Sequence, residues 1–149
     1  MLVSCSSAPR VTRYADVPAV DFCELFESRL SHPDEVVRLV ARYRVGFEHA
    51  FLESKSCEGR VWVEFDPDYA LNSDPALVRK LRRLLSQDTG ESYGSYTLKI
   101  QVVGRFRGKK QSYEPIPGLF KERGYGHMGG YEAELSVLSL EAVSNVFEF

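Results

Sequence analysis

The chain has 149 residues, 44% hydrophobic and 27% charged, a length that fits one domain able to bury roughly 70% of its unfolded surface without metal or oligomer. That composition excludes a wholly disordered, collagen-like or coiled-coil chain, and no apolar run approaches the ~18 residues of a transmembrane helix. Nineteen basic residues against 21 acidic ones leave a net charge of −2, so no global positive field draws the chain to nucleic acid.

Residues 1–20 read as a flexible N-terminal tether, because Ser4 to Pro9 is small and polar and no hydrophobic period begins before Val20. Within it, Leu2-Val3-Ser4-Cys5 resembles a bacterial lipobox, which implies lipidation of Cys5 and a membrane tether through it. A secretory signal needs ~7–15 apolar residues, so this reading requires an apolar segment upstream of Leu2. The alternative is a cytosolic protein with a frayed start.

Residues 20–30 carry apolar positions at Val20, Phe22, Leu25, Phe26 and Leu30, closer to helical than to alternating spacing. Ser31-His32-Pro33-Asp34 stops the pattern. Val37, Leu39, Ala41 and Tyr43 then alternate with Arg38, Val40, Arg42 and Arg44, the period of a half-buried strand. Gly46 breaks it, residues 47–53 read as a second strand, and residues 60–65 as a third with Val61, Val63 and Phe65 opposite Trp62 and Glu64. Ser73-Asp74-Pro75 opens the main helix with a capping residue before a first-turn proline. Its apolar stripe is Leu77, Leu81, Leu84 and Leu85, and residues 87–90 end it. Tyr96, Leu98, Ile100 and Val102 predict a fourth strand; a polar, glycine-rich loop spans residues 108–130; Ala133, Leu135 and Val137 predict the fifth. The alternation slips at Leu138, marking a bulge or the strand's end.

Three strands, a helix and two strands predict a mainly β, five-stranded OB-fold-like Greek-key barrel with an N-terminal helical or irregular extension, as a single domain over residues 21–149. An open antiparallel sheet fits less well, since strands with one polar face favour a ring that hides its edges. Cys23 lies in an apolar stretch and Cys57 in a polar turn. In an oxidising compartment they close a loop of about 34 residues, worth roughly 3–4 kcal/mol. Otherwise Cys23 is a small buried hydrophobe and Cys57 an exposed thiol.

Phe22-Cys23-Glu24-Leu25, residues 37–44, Gly46-Phe47-Glu48, Cys57 before Trp62-Val63-Glu64-Phe65, Val103-Gly104-Arg105-Phe106 and Gly124-Tyr125-Gly126-His127 are together similar to uncharacterised bacterial envelope proteins. The resemblance covers roughly residues 20–140 and implies a small OB-like domain, often behind a signal peptide, with the cysteines paired. It implies no activity. The chain departs from it at Ala41, near which such proteins usually carry a glycine.

Gly124-Tyr125-Gly126-His127-Met128-Gly129 matches the dinucleotide-binding glycine pattern, but a strand follows it where phosphate needs a helix N-terminus. It reads instead as a tight turn whose Tyr125 and His127 line a ligand site or pack the barrel mouth. The three histidines and the cysteines show no zinc spacing, and Asp66, Asp68, Asn72 and Asp74 read as a turn and a helix cap rather than a calcium loop. No cofactor or metal is expected. No serine sits in a nucleophile elbow and Cys57 lacks an evident base.

The remaining candidates are basic and aromatic: Trp62 facing outward on the third strand, Arg105, Arg107 and Tyr113 where the long loop begins, and Tyr125 and His127 near its end. OB-folds bind oligomeric ligands through strands two and three and the first and last hairpin loops. Arginine beside stacking aromatics suits single-stranded nucleic acid, sugars or anionic envelope polymers. The competing reading pairs Lys99 and Arg105 with Glu132 and Glu134 across strands. The expectation is thus a non-catalytic module, envelope-tethered, binding an unidentified ligand or an envelope protein. The alternatives are a cytosolic single-stranded nucleic-acid binder and an enzyme centred on His127.

Overall fold

The computed structural model describes residues 13–86 and 96–145. Cys5, the predicted helix stop at 87–90 and the tail beyond 145 lie outside them. In chain order the elements are α1 (Phe22–Glu27), β1 (Glu35–Gly46), β2 (His49–Ser54), β3 (Cys57–Phe65), α2 (Pro75–Ser86), β4 (Tyr96–Arg107), β5 (Gln111–Ile116), β6 (Leu119–Arg123) and β7 (Glu134–Asn145).

The chain is mainly β with one main helix, and five strands form a closed ring in the order β1-β2-β3-β7-β4. The last two ring strands therefore stand exchanged relative to chain order. Two strands lie where a loop is expected: residues 108–130 contain a separate two-stranded ribbon, β5-β6. Alternation could not reveal it, because every residue of both strands is exposed and neither face carries an apolar period.

The ring's interior follows the expected parity. Val37, Leu39, Ala41 and Tyr43 of β1, Val61 and Val63 of β3, and Leu98, Ile100 and Val102 of β4 are all buried in one cluster. β7 pairs antiparallel with β4 from Leu98↔Asn145 to Arg107↔Glu134, and its register slips twice. One slip leaves Leu138 as an extra residue, so the break in the pattern is a bulge within a longer strand. The other leaves Glu141, whose Oε1 accepts from Arg38 Nε at 2.5 Å. Arg38 also donates to the carbonyls of Val17 at 2.5 Å and Tyr14 at 2.7 Å, and Ala19 bridges to Arg38 in parallel. Residues 14–19, within the segment read as tether, thus lie along β1.

Each helix seals part of the ring. Asp21 caps α1 by accepting from the Glu24 amide at 3.0 Å, and Phe22 and Leu25 enter the core. Phe26 lies against Gly59, where a methyl group would meet its ring at 2.4 Å, so only glycine lets α1 sit this close to β3. Cys23 and Cys57 lie at disulfide distance at this contact, with Cα atoms 5.9 Å apart. At the other helix, Asp74 accepts from the Ala76 amide at 2.8 Å, while Val78 and Leu81 are buried. Ser73 Oγ accepts from the Leu140 amide and Ser139 Oγ donates to the Asn72 carbonyl, both at 2.8 Å, which ties the entry of α2 to the bulged part of β7.

Two outcomes follow. Replacing both Cys23 and Cys57 with alanine lowers the unfolding free energy of the oxidised chain by about 3–4 kcal/mol, measured by urea denaturation. An unchanged midpoint would show that this loop closure contributes nothing. Tyr43 sits in the core with Phe65 edge-on at 5.9 Å, and burial, with a smaller contribution from Tyr69, pushes its phenol up to about 12. Its folded-state value is raised above the ~10 of an unfolded tyrosine, so its contribution to stability is intact below pH ~10 and lost as pH rises towards about 12. Tyr43→Phe removes that part of the alkaline decline, read as thermal midpoint against pH.

Candidate ligand-binding face

The register of the first strands builds this site. Phe51 and Trp62 stand opposite each other on β2 and β3, both on the outer side, since their neighbours Leu52 and Val61 belong to the interior. Arg60 stacks over Phe51 at 4.8 Å and Arg44 at 6.0 Å. Tyr131 lies 5.1 Å from Trp62 and 6.0 Å from Phe51, ring centre to ring centre. An outward phenylalanine is thereby covered: Phe51 is only 5% exposed.

The segment after β6 crosses this face. The Trp62 amide donates to the Ala133 carbonyl at 3.0 Å, and Tyr125 and Tyr131 exchange backbone hydrogen bonds at 2.8 and 3.1 Å, closing a turn between them. Gly126 rests on the indole with φ +70°, and a methyl group there would lie 2.3 Å from Trp62. This position demands glycine twice over, for its backbone angle and for the close approach. At the far rim His127 Nε2 lies 3.6 Å from the Glu48 carboxylate in the β1–β2 turn.

Trp62, Arg107 and Tyr125 meet around Glu134. Trp62 Nε1 donates to Glu64 at 3.3 Å, and Arg107 lies 3.7 Å from Glu134. Burial pushes the Glu134 carboxyl above its ordinary range and neighbouring Glu64 adds to this, while Arg107 opposes it. Tyr125 is 7% exposed, its hydroxyl donates to the Lys109 carbonyl, and burial raises its pKa with Glu134 adding to the effect. Tyr125 is thus buried and tied to the chain just before β5. Arg105 is engaged elsewhere, with Asp34 at 3.0 Å, and Tyr113 stands on β5, 45% exposed.

The cross-strand pairs expected for Arg105 need correcting. Glu134 faces Arg107, Glu132 faces Arg29 at 2.7 Å, and Arg105 turns to Asp34. In register Arg105 stands opposite Ser136 and Val36, so neither glutamate is its direct neighbour.

Beside Tyr131 a groove of about 380 Å³ is lined by Phe26, Glu58, Arg60, Gly130, Tyr131 and Glu132. Arg29 stacks on Phe26 at 4.5 Å at its edge. Phe51, Arg60, Tyr131 and Phe26 were not singled out by sequence reasoning. Phe51 was accessible through its parity with Trp62, whereas Tyr131 reaches the face through a turn that no local pattern announces. Among the described residues no three His, Cys, Asp or Glu side chains converge to hold a metal ion, and no helix among them is long and apolar enough to cross a membrane.

Comparison with protein-family models, curated proteins and solved structures gives no match.

Gly126→Ala must lift the turn off Trp62. It costs about 1–3 kcal/mol and shifts the emission of the chain's single tryptophan to longer wavelength as the ring meets water. Unchanged emission and stability would mean that the turn does not rest on the indole in solution.

Proposed function

We propose that the chain is a non-catalytic binding module of OB-fold type, held at a bacterial cell envelope, that takes an oligosaccharide along the β2–β3 face and the groove beside Tyr131. Three features support the barrel type: α2 lies between the third and fourth ring strands, the third and fifth ring strands touch in parallel, and the long connection falls between the fourth and fifth. The helix position and long last connection belong to that fold, whose known ligands include oligosaccharides.

The observation that carries the ligand class is the mixed lining of the groove. Tyr131 and Phe26 offer ring faces, Glu58 and Glu132 offer acceptors, and Arg60 offers a donor fork. Sugar rings present apolar C–H faces edged by hydroxyl groups, which such a set satisfies. Glu58, Glu64 and Glu132 offset Arg29, Arg44 and Arg60 here, so the face presents no net positive field and single-stranded nucleic acid fits this lining less well. His127 lies 3.6 Å from Glu48 at the rim, where it can contact a ligand lying along the face. The envelope location rests on the Leu2-Val3-Ser4-Cys5 stretch and on the Cys23–Cys57 pair at disulfide distance, a pairing that an oxidising compartment favours.

Calorimetric titration with bacterial cell-wall glycan fragments tests this reading. Saturable binding is expected, weakened at least about tenfold by Tyr131→Ala, the size of a central aromatic contact. Oligothymidylate is expected to bind no better than ~10⁻⁴ M at low salt. The reverse ranking, or no glycan binding, overturns the oligosaccharide assignment.

A further inference from the structure

The β5-β6 ribbon is built unlike the rest of the molecule. It stands apart from the ring as its own two-stranded sheet, yet it carries large apolar side chains in water: Ile116 is 59% exposed, Leu119 41% and Phe120 71%. These surround the turn at Gly118, which has φ +80° and whose amide donates to the Glu114 carboxylate at 2.5 Å. Ile116 and Leu119 face each other in register. The cations lie behind them: Lys121 and Arg123 follow along β6, and Lys109 and Lys110 precede β5. Glu114 and Glu122 are the only acidic residues between 108 and 123.

From this segregation we propose that the ribbon is a membrane-docking arm, whose tip enters a bilayer bearing anionic lipids. Leu119 and Phe120 are consecutive in a strand and so project to opposite faces of the ribbon. A partner protein seated on the ribbon covers one face and leaves the other apolar side chain in water, whereas hydrocarbon surrounds both. The spacing of charge agrees. Lys121 is two residues behind Leu119, ~7 Å at ~3.4 Å per residue, and the headgroup layer on each side of a bilayer is about 5–8 Å thick. With Leu119 at the acyl boundary, Lys121 stands among the headgroups and Arg123 and Lys110 above them. Each such cation adds to attraction by an anionic leaflet, and the apolar tip supplies the burial that holds an interfacial element in place.

This inference is independent of the oligosaccharide reading, because the ribbon contributes no residue to the groove beside Tyr131. It is tested with the full chain carrying Cys5→Ser, so that no acyl group contributes. The chain is sedimented with phosphatidylcholine–phosphatidylglycerol vesicles and with vesicles of phosphatidylcholine alone. Binding is expected to the anionic vesicles, weaker to the neutral ones, and reduced by raising ionic strength. The double variant L119S/F120S and the single variant Lys121→Glu are each expected to lower the bound fraction at least about fivefold. The thermal midpoint should stay unchanged, since these side chains are exposed. Failure of the parent chain to bind anionic vesicles overturns the proposal, as does undiminished binding by L119S/F120S. So does a result in which L119S/F120S abolishes self-association in sedimentation velocity while vesicle binding is absent, which would make the tip a contact between copies.

Discussion

The parallel contact between β3 and β7 is short, running from Trp62↔Glu134 to Phe65↔Val137, but the rest of the molecule depends on it. Without it β1, β2 and β3 end in an open edge on one side and β7 in another. Closing the ring there buries Leu135 and Val137 against Val61 and Val63. The same pairing draws the end of the preceding segment across the outside of β3, since the Trp62 amide takes Ala133 as acceptor. The candidate face is therefore a product of ring closure: the register that seals the core also lays residues 124–131 over Trp62 and brings Tyr131 to Phe51.

A strand that pairs with β3 at one end and with β4 along its whole length must bend. β7 bends through its two extra residues, Leu138 and Glu141, and the second turns a defect into an anchor. Glu141 meets Arg38, which also takes the carbonyls of Tyr14 and Val17. A guanidinium with its donor fork shared between a carboxylate and two carbonyls fixes the N-terminal approach to α1. α1 in turn is held by the Gly59 contact and the adjoining cysteine pair. Closure, bulge and helix seat form one chain of dependence.

This dependence explains what the sequence disclosed. The interior was legible in β1, β3 and β4 because one face of each is buried and the other largely polar, Val103 of β4 excepted, and Val37, Leu39, Ala41 and Tyr43 show it as clean alternation. In β2 it failed, since Phe51 is apolar yet faces outward under Arg60 and Tyr131. The β5-β6 ribbon was illegible for the opposite reason: with neither face buried, residues 108–130 show only a polar, glycine-rich composition and read as a loop. Of the candidate residues, Trp62 was readable from parity alone. The cover over it was not, because Gly126 meets the indole through a contact spanning more than sixty residues of chain.

The net charge of −2 conceals two unlike groups of cations. Arg29, Arg38, Arg105 and Arg107 each meet an acidic partner on another element, so these arginines serve the fold. Lys109, Lys110, Lys121 and Arg123 make no ion pair among the described residues, and they lie on or beside the ribbon, whose strands pair with no strand of the ring. Had the chain needed those cations for stability, the ribbon would be the wrong place for them, since exposed charges in water contribute little. Their concentration behind an apolar tip is a surface property. It sets the arm's outward-facing cations apart from the arginines that pair with carboxylates on and around the ring.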